Sequence, residues 1–166
     1  MPTDLDVSIG DALQELERYI RDSGWRGREN ELVNLFAMGY LLPRLCPPMD
    51  PTQIAIEVAV PQVDVGDRVK AMVRKDLVVW EQPRTTAWTG ENGGQAIAVL
   101  EWKCVHNVGS SATGLSARRR EHEGDIAWLT RFTQRYPSTS GYAVFADLAN
   151  HHPKIHYTVV RDGRPL

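Results

Sequence analysis

The chain has 166 residues, of which 42% are hydrophobic and 24% are charged. These proportions are typical of a globular domain and not of a disordered segment. No apolar run approaches the roughly 20 residues of a membrane-spanning helix. The acidic start of the chain lacks the basic-then-apolar pattern of a signal peptide. We therefore expect one domain over residues 1–166, in the cytoplasm and without a membrane partner.

The formal net charge of −2 excludes a strongly basic protein, but the charge is unevenly distributed. Residues 1–60 carry 5 Lys and Arg against 10 Asp and Glu, a difference of −5. Residues 61–166 carry 14 against 11, a difference of +3. A phosphate-binding surface is therefore expected mainly in the second part. Cys46 and Cys104 have no metal-ligand spacing, so two reduced thiols and no zinc site are expected.

The first part of the chain has the pattern of two helices followed by a strand. Apolar residues at helical spacing predict a helix over 8–21 and a second over about 28–42, which Pro43 should end. Three prolines within 46–51 predict a rigid loop. Alternating Ile and Val then predict a strand over 54–60.

The second part predicts one helix between two groups of strands. The helix is expected over 118–135, after a flexible linker at 109–114. Polar residues over 81–95 predict an exposed loop, and Asp162-Gly163 suits a tight turn, although no strand is predicted after it. The strands are expected at 73–80, 96–105, 142–148 and 155–160.

This order of elements predicts an α/β fold. A helix that joins two strands usually makes them parallel, because a parallel connection must cross back over the sheet. We therefore expect a mixed central sheet of about five strands, flanked by helices on both faces.

Three charged residues lie at strand positions that are usually apolar. Asp76 lies inside the second predicted strand, and Glu101 and Lys103 lie in the third. Side chains two positions apart on a strand face the same way, so Glu101 and Lys103 should share a face and Trp102 should take the other. Two carboxylates offer hard oxygen ligands for Mg²⁺. A metal ion lowers the pKa of a bound water, and a lysine can position that water or stabilise developing negative charge.

Asp76, followed by the strand-borne Glu101-Trp102-Lys103, resembles the D…(D/E)-x-K signature of the PD-(D/E)XK, or restriction-endonuclease-like, superfamily. The order of elements over 28–148 is similar to the family's core of helix, three strands, helix and strand. One departure is Lys75, which stands where the family's name has proline. The resemblance implies a Mg²⁺-dependent nuclease, with Mn²⁺ as a substitute ion and DNA as the expected substrate.

The resemblance also implies individual roles. Asp76, Glu101 and the backbone carbonyl of Trp102 would hold the metal ion, and Lys103 would act on the attacking water. The family often adds a catalytic glutamate from its first core helix. Here Glu31 is the best match and Glu29 is the second.

Three further kinds of contact with the substrate are expected. Arg74 and Lys75 flank the motif aspartate and should meet the nucleic-acid backbone. Trp88 lies in a polar loop, where it could stack on a base or merely cover the sheet edge. Arg118 opens an arginine run that could bind phosphate, or could be a solvated run compensated by the glutamates that follow it.

Purely structural interpretations stay open for some of these residues. Glu101 and Lys103 could form a same-strand ion pair on an exposed face, worth about 0–1 kcal/mol. Glu31 could simply complement the helix dipole. The alternative function is a non-catalytic restriction-endonuclease-like module that binds nucleic acid or a partner protein. A metabolic hydrolase is not supported, because the sequence has no Gly-rich phosphate loop and no GxSxG elbow. The short chain also suggests a homodimer or a larger partner.

Overall fold

Six strands form one sheet in the residues that the computed structural model describes, which are 4–64, 70–89, 96–106, 112–149 and 151–166. Their order across the sheet is their order along the chain. The strands are β1 (Ile54–Pro61), β2 (Met72–Trp80), β3 (Ala96–Val105), β4 (Ser140–Asp147), β5 (Lys154–Arg161) and β6 (Arg164–Pro165).

The sheet is mixed, as expected. β3 and β4 are parallel, and every other neighbouring pair is antiparallel. The connection between the parallel strands runs through helix α4 (Ala112–Arg135). The α/β class and the helical crossover are therefore confirmed.

Helices cover both faces of the sheet. One face carries α1 (Asp4–Ser23), α2 (Glu29–Leu35) and the short α3 (Leu42–Leu45), which share a core with alternate residues of the central strands such as Trp102. The other face packs on α4 through a second, smaller core. No helix among the described ranges is long and apolar enough to cross a membrane.

Several predicted boundaries differ from the structure. The second helix does not end at Pro43, because a π-helical segment (Phe36–Leu41) carries it into α3, and Pro43 lies in the first turn of α3, where a missing N–H is tolerated. Helix α4 begins at 112, so residues 112–114 of the predicted linker are helical, and 109–111 lie outside the described residues. In the predicted loop over 81–95, residues 81–89 have no helix or strand, and the remainder is not described.

The expectation that no strand follows Asp162-Gly163 was wrong. Both residues have positive φ angles, 48° and 72°, which is the conformation of a two-residue hairpin turn. The turn lets Arg161 pair with Arg164 and Val160 with Pro165, so two residues are enough to add β6 to the sheet.

A buried carboxylate ties α1 to the sheet. Asp6 is 8% exposed, and it accepts hydrogen bonds from the Tyr142 hydroxyl and the Arg161 guanidinium. Removal of one partner from a buried ion pair leaves the other charge uncompensated. The contact is therefore expected to hold the helical layer on β4 and β5.

We expect Asp6→Ala to lower the free energy of unfolding by about 2–3 kcal/mol, because Arg161 and Tyr142 lose a shared hydrogen-bond acceptor. Asp11→Ala, at an exposed position of the same helix, should change it by less than about 0.5 kcal/mol. Urea denaturation of both variants measures the difference. Equal effects would show that Asp6 does not contribute through this network.

Candidate active site

The candidate site lies where β2 separates from β3. The ladder between these strands includes Leu77 paired with Leu100 but does not extend to Asp76 and Glu101. Opposite this point, the ladder between β1 and β2 leaves out Asp76 and Glu57. The φ angle of Glu57 is 55°, in the left-handed region. The site is therefore built on an interruption of regular strand pairing.

Both strands change face at this interruption. In β1, Ile56 packs in the core beneath α1–α3, whereas Val58 packs in the core beneath α4. In β2, Leu77 packs in the first core, whereas Lys75 reaches the ring of Trp128 on α4. Residues two positions apart in a regular strand share a face. The irregularity at Asp76 therefore turns Lys75 towards α4.

Side-chain carboxylates replace the missing strand pairing. Oδ2 of Asp76 accepts a hydrogen bond from the backbone N–H of Trp102 at 2.7 Å. In return, Oε2 of Glu101 lies 3.4 Å from the backbone nitrogen of Asp76. The two carboxylates thus lie on adjacent strands and bridge the gap, where each satisfies a donor that would otherwise be left without a backbone partner.

Lys75 is buried against Glu101, so the expectation that it meets the substrate backbone was wrong. Its side chain is 6% exposed, and its ammonium contacts Oε1 of Glu101. Its Nζ also lies 3.6 Å from the ring centroid of Trp128. The reversal of face in β2 is the physical reason, because it directs this side chain into the protein.

Lys103 lies on the same side of the sheet as Glu101, facing α4. Its Nζ lies 2.9 Å from the backbone carbonyl oxygen of Trp102 and 2.9 Å from Oδ2 of Asp125, on α4. The contact with Asp125 is a close ion pair, in which the ammonium compensates a largely buried carboxylate. Two oxygens beside the motif, one from the backbone and one from Asp125, are thus contacted by one ammonium group.

Asp125 is a site residue that sequence reasoning missed. It precedes Trp128 by three positions and Leu129 by four, so it lies in the buried stripe of α4. A carboxylate in the apolar stripe of a helix is the signal that could have revealed it.

Glu29, and not Glu31, is the glutamate of α2 that faces the site. Oε2 of Glu31 accepts a hydrogen bond from the backbone N–H of Arg28 at 2.6 Å, so this exposed side chain caps its own helix. Oε2 of Glu29 instead accepts from the backbone N–H of Cys104 at 2.9 Å. The choice of Glu31 was therefore wrong for this geometry. Glu29, the first residue of α2, points to β3, whereas Glu31, the third, turns back to the start of its own helix.

A small cleft opens between α2 and the separated strands. Its lining includes Glu29, Asn30, Asn34, Glu57 and Asp76. Asp76 is half-buried here, and its Oδ1 makes no hydrogen bond to any part of the chain that the structure describes. The free oxygen therefore lies at a solvent-connected position.

Burial and mutual repulsion dominate the electrostatics of the acidic groups. Burial raises the pKa of Glu101 to about 7, against the opposing effect of Lys75, and Asp76 and Asp125 raise it further. Burial also raises the pKa of Glu29 and of Asp125. The site therefore holds more negative charge than its own lysines compensate.

The pKa of Lys103 is raised although its burial acts in the opposite direction, because Asp125 stabilises the ammonium form. Lys103 is therefore positively charged at neutral pH. In that state it can donate hydrogen bonds but cannot accept a proton.

The donor set fits a hard divalent cation. Carboxylate and carbonyl oxygens are the ligands that Mg²⁺ prefers, and it usually keeps several waters. Asp76 offers a free oxygen, and Oε2 of Glu101 has only a long contact to the backbone. Within the described ranges, no group of three or more His, Cys, Asp or Glu side chains could hold a metal ion by itself. Water or a substrate oxygen would have to complete the coordination.

The remaining predicted contacts differ in exposure. Arg74 is exposed and lies 3.7 Å from Glu57, at the edge of the cleft. Arg118 is also exposed, pairs with Glu121 at 2.7 Å, and lies close enough to Glu29 to interact with its charge. Both guanidinium groups can therefore be reached from solvent.

Trp88 covers the sheet edge. Its half-buried ring packs against Trp80, Phe132 and Tyr136, with centroid distances of 6.3, 5.9 and 4.9 Å. The ring is therefore engaged in the smaller core. This favours the interpretation that Trp88 covers the sheet edge over the interpretation that it stacks on a base.

Comparison with family models, curated proteins and solved structures finds no match to this chain. The resemblance to the PD-(D/E)XK superfamily therefore rests on Asp76, on Glu101-Trp102-Lys103 and on the order of the elements.

We expect Glu101 to make the metal-free protein less stable as the pH rises from about 5 to 8. Its pKa in the folded protein, about 7, lies above the ordinary 4.5. The stability from its bound proton is therefore complete below pH 4.5 and lost as the pH passes about 7. Glu101→Gln should remove this part of the pH dependence, on the order of 1–3 kcal/mol. Urea denaturation across the pH range, with EDTA present, measures it, and an unchanged slope in the variant would contradict the assignment.

Proposed function

We propose that this chain is a Mg²⁺-dependent nuclease that hydrolyses phosphodiester bonds, with DNA as its substrate. The observation that carries the proposal is the meeting of Asp76 and Glu101 across the gap between β2 and β3, with Lys103 on the same side as Glu101. An exposed same-strand ion pair does not explain this arrangement, because Glu101 is only 6% exposed and is paired with a different lysine.

Asp76, Glu101 and the carbonyl oxygen of Trp102 would hold the metal ion. When bound, such an ion neutralises charge on the phosphodiester and lowers the pKa of a coordinated water. The chain's own contribution is rigidity. The backbone N–H of Trp102 fixes Asp76, and Lys75 fixes Glu101, so both ligands are held in place before the substrate arrives.

Lys103 acts in this proposal as a charged donor. The water oxygen forms a bond to phosphorus and gives up a proton to solvent, the P–O ester bond breaks, and the leaving oxygen takes up a proton from solvent. Negative charge grows on the phosphoryl oxygens during this step. Because Asp125 keeps Lys103 protonated, the ammonium can orient the water or stabilise that charge, whereas a role as general base is disfavoured.

Exposed guanidinium groups would bind the substrate backbone. Arg74 lies beside Glu57, and Arg118 lies near enough to Glu29 to interact with its charge; both carboxylates line the acidic cleft. The two thiols are free, which suits a reducing compartment, and we place the activity in the cytoplasm. A homodimer or a larger partner would extend the small binding surface that these arginines provide.

A non-catalytic nucleic-acid-binding or protein-binding module is the second candidate. It is favoured by the observation that Lys75 and Lys103 already contact Glu101 and Asp125, so the fold is supported without an added ion. Incubation of the protein with plasmid, linear duplex, single-stranded DNA and RNA in Mg²⁺ or Mn²⁺ separates the two. Cleavage supports the enzyme, and binding without cleavage supports the module.

We expect Mg²⁺ or Mn²⁺ to bind weakly in the absence of substrate, because phosphate oxygens supply part of the coordination. Asp76→Ala should abolish the binding signal in titration calorimetry, since it removes the free oxygen in the cleft. Glu31→Ala is the matched control, because this carboxylate caps its own helix. A metal signal that survives Asp76→Ala would place the ion elsewhere.

Lys103→Ala should slow cleavage by a factor on the order of 10²–10³ and leave affinity for nucleic acid nearly unchanged. The reason is that its ammonium would stabilise charge that develops only in the transition state. Lys103→Arg should rescue little, because a planar guanidinium does not replace a compact ammonium. Gel shifts in Ca²⁺, used as a non-catalytic ion, and cleavage in Mg²⁺ separate the two effects.

Arg74→Ala provides the contrast. It should weaken binding and flatten the salt dependence of binding, as the loss of a phosphate contact does. If Lys103→Ala cleaved at the wild-type rate, the chemistry assigned to β3 would be wrong and the binding module would take its place.

A further inference from the structure

Lys75 is a buried ammonium for which the nuclease chemistry has no direct use. It contacts Oε1 of Glu101, its Nζ lies 3.6 Å from the centroid of the Trp128 ring, and Asp125 lies near enough to interact with its charge. A lysine is rarely buried to this extent unless its charge is compensated. These three groups therefore define a fixed position for a single positive charge on the α4 side of Glu101.

The formal charges of the site leave room for one divalent ion. Four carboxylates interact with one another and with two ammonium groups, and Glu29 also interacts with the guanidinium of Arg118, which leaves a formal charge of −1 when all are ionised. One divalent cation changes that charge to +1. A second would raise it to +3 in a partly buried place. The groups counted are Glu29, Asp76, Glu101, Asp125, Lys75, Lys103 and Arg118.

Building on the proposed function, we propose that Lys75 is a built-in cation that takes the place of a second metal ion. The site then binds one divalent cation, through Asp76 and Oε2 of Glu101, the carboxylate oxygen that Lys75 does not contact.

The geometry explains why a second ion is excluded. In two-metal sites the ions lie about 3.5–4 Å apart and usually share oxygen ligands. Here the ammonium of Lys75 already contacts Oε1 of Glu101, the oxygen through which a second ion would share this carboxylate. Asp125 is paired with Lys103 and also lies near enough to interact with the charge of Lys75. Displacement of the ammonium would bury it without a partner, because Trp128 and the sheet enclose it.

Counting bound Mn²⁺ tests the proposal directly. Electron paramagnetic resonance of free Mn²⁺, with Mn²⁺ alone as the probe, should give one bound ion per wild-type chain. Lys75→Ala removes the ammonium and opens space beside Glu101 and Asp125, so it should bind two. Arg164→Ala, which removes an exposed positive charge on β6 at the edge of the sheet, should still bind one. Two ions or none on the wild type, or a single ion on Lys75→Ala, would overturn the proposal.

Lys75→Met keeps the test decisive if the alanine variant does not fold. Methionine has a similar length and can keep packing on Trp128, but it carries no charge. We expect Mn²⁺ to bind this variant at least about tenfold more tightly than the wild type, because a nearby like charge is lost. Mn²⁺ should also raise its Tm by more. Equal Mn²⁺ affinity and an equal rise in Tm would overturn the role given to Lys75.

The metal count and the nuclease assay fail separately. One Mn²⁺ per chain and two on Lys75→Ala, without cleavage of any nucleic acid, would support the built-in cation and reject the nuclease. Cleavage with two ions on the wild type would support the nuclease and reject the built-in cation.

Discussion

The separation of β2 from β3 beyond Leu77 and Leu100 is the constraint on which the site depends. A strand that leaves its neighbour exposes backbone N–H groups that must find other acceptors. Asp76 supplies an acceptor for Trp102, and Glu101 lies against the backbone nitrogen of Asp76. The carboxylates therefore take part in the hydrogen bonding of the sheet itself. These bonds fix them more firmly than a surface position would.

The charges around this gap form two ion pairs that lie at different depths. Lys75 compensates Glu101 inside the protein, and Asp125 compensates Lys103 nearer to solvent. Burial of each ion alone would be costly, whereas opposite charges in contact recover part of that cost. Both ion pairs depend on α4, because Trp128 packs on the ammonium of Lys75 and Asp125 pairs with the ammonium of Lys103. The helix that crosses over between β3 and β4 is thus a wall of the site as well as part of the fold.

The opposite wall comes from the start of α2. Glu29 reaches the backbone N–H of Cys104 and so joins the helix to the far end of β3. Glu31, on the same helix, instead accepts a hydrogen bond from the backbone N–H of Arg28 and caps the first turn of α2. Two glutamates two positions apart thus have different tasks, because side chains two residues apart on a helix do not face the same way.

The sequence by itself determined the class of the fold and the strands on which Asp76, Glu101 and Lys103 lie. Hydrophobic periodicity depends on local geometry, so the five longer strands and the helical crossover could be predicted, as could the shared side of Glu101 and Lys103. Tertiary structure alone decided what each charge contacts. Lys75 was assigned to the surface, because a regular β2 gives no reason to turn it inwards, and only the interruption opposite Glu57 does so. Asp125 pairs with Lys103 across 22 residues of sequence, and the choice between Glu29 and Glu31 depends on where β3 lies beneath α2. Such contacts arise from packing between elements, and no local pattern along the chain encodes them.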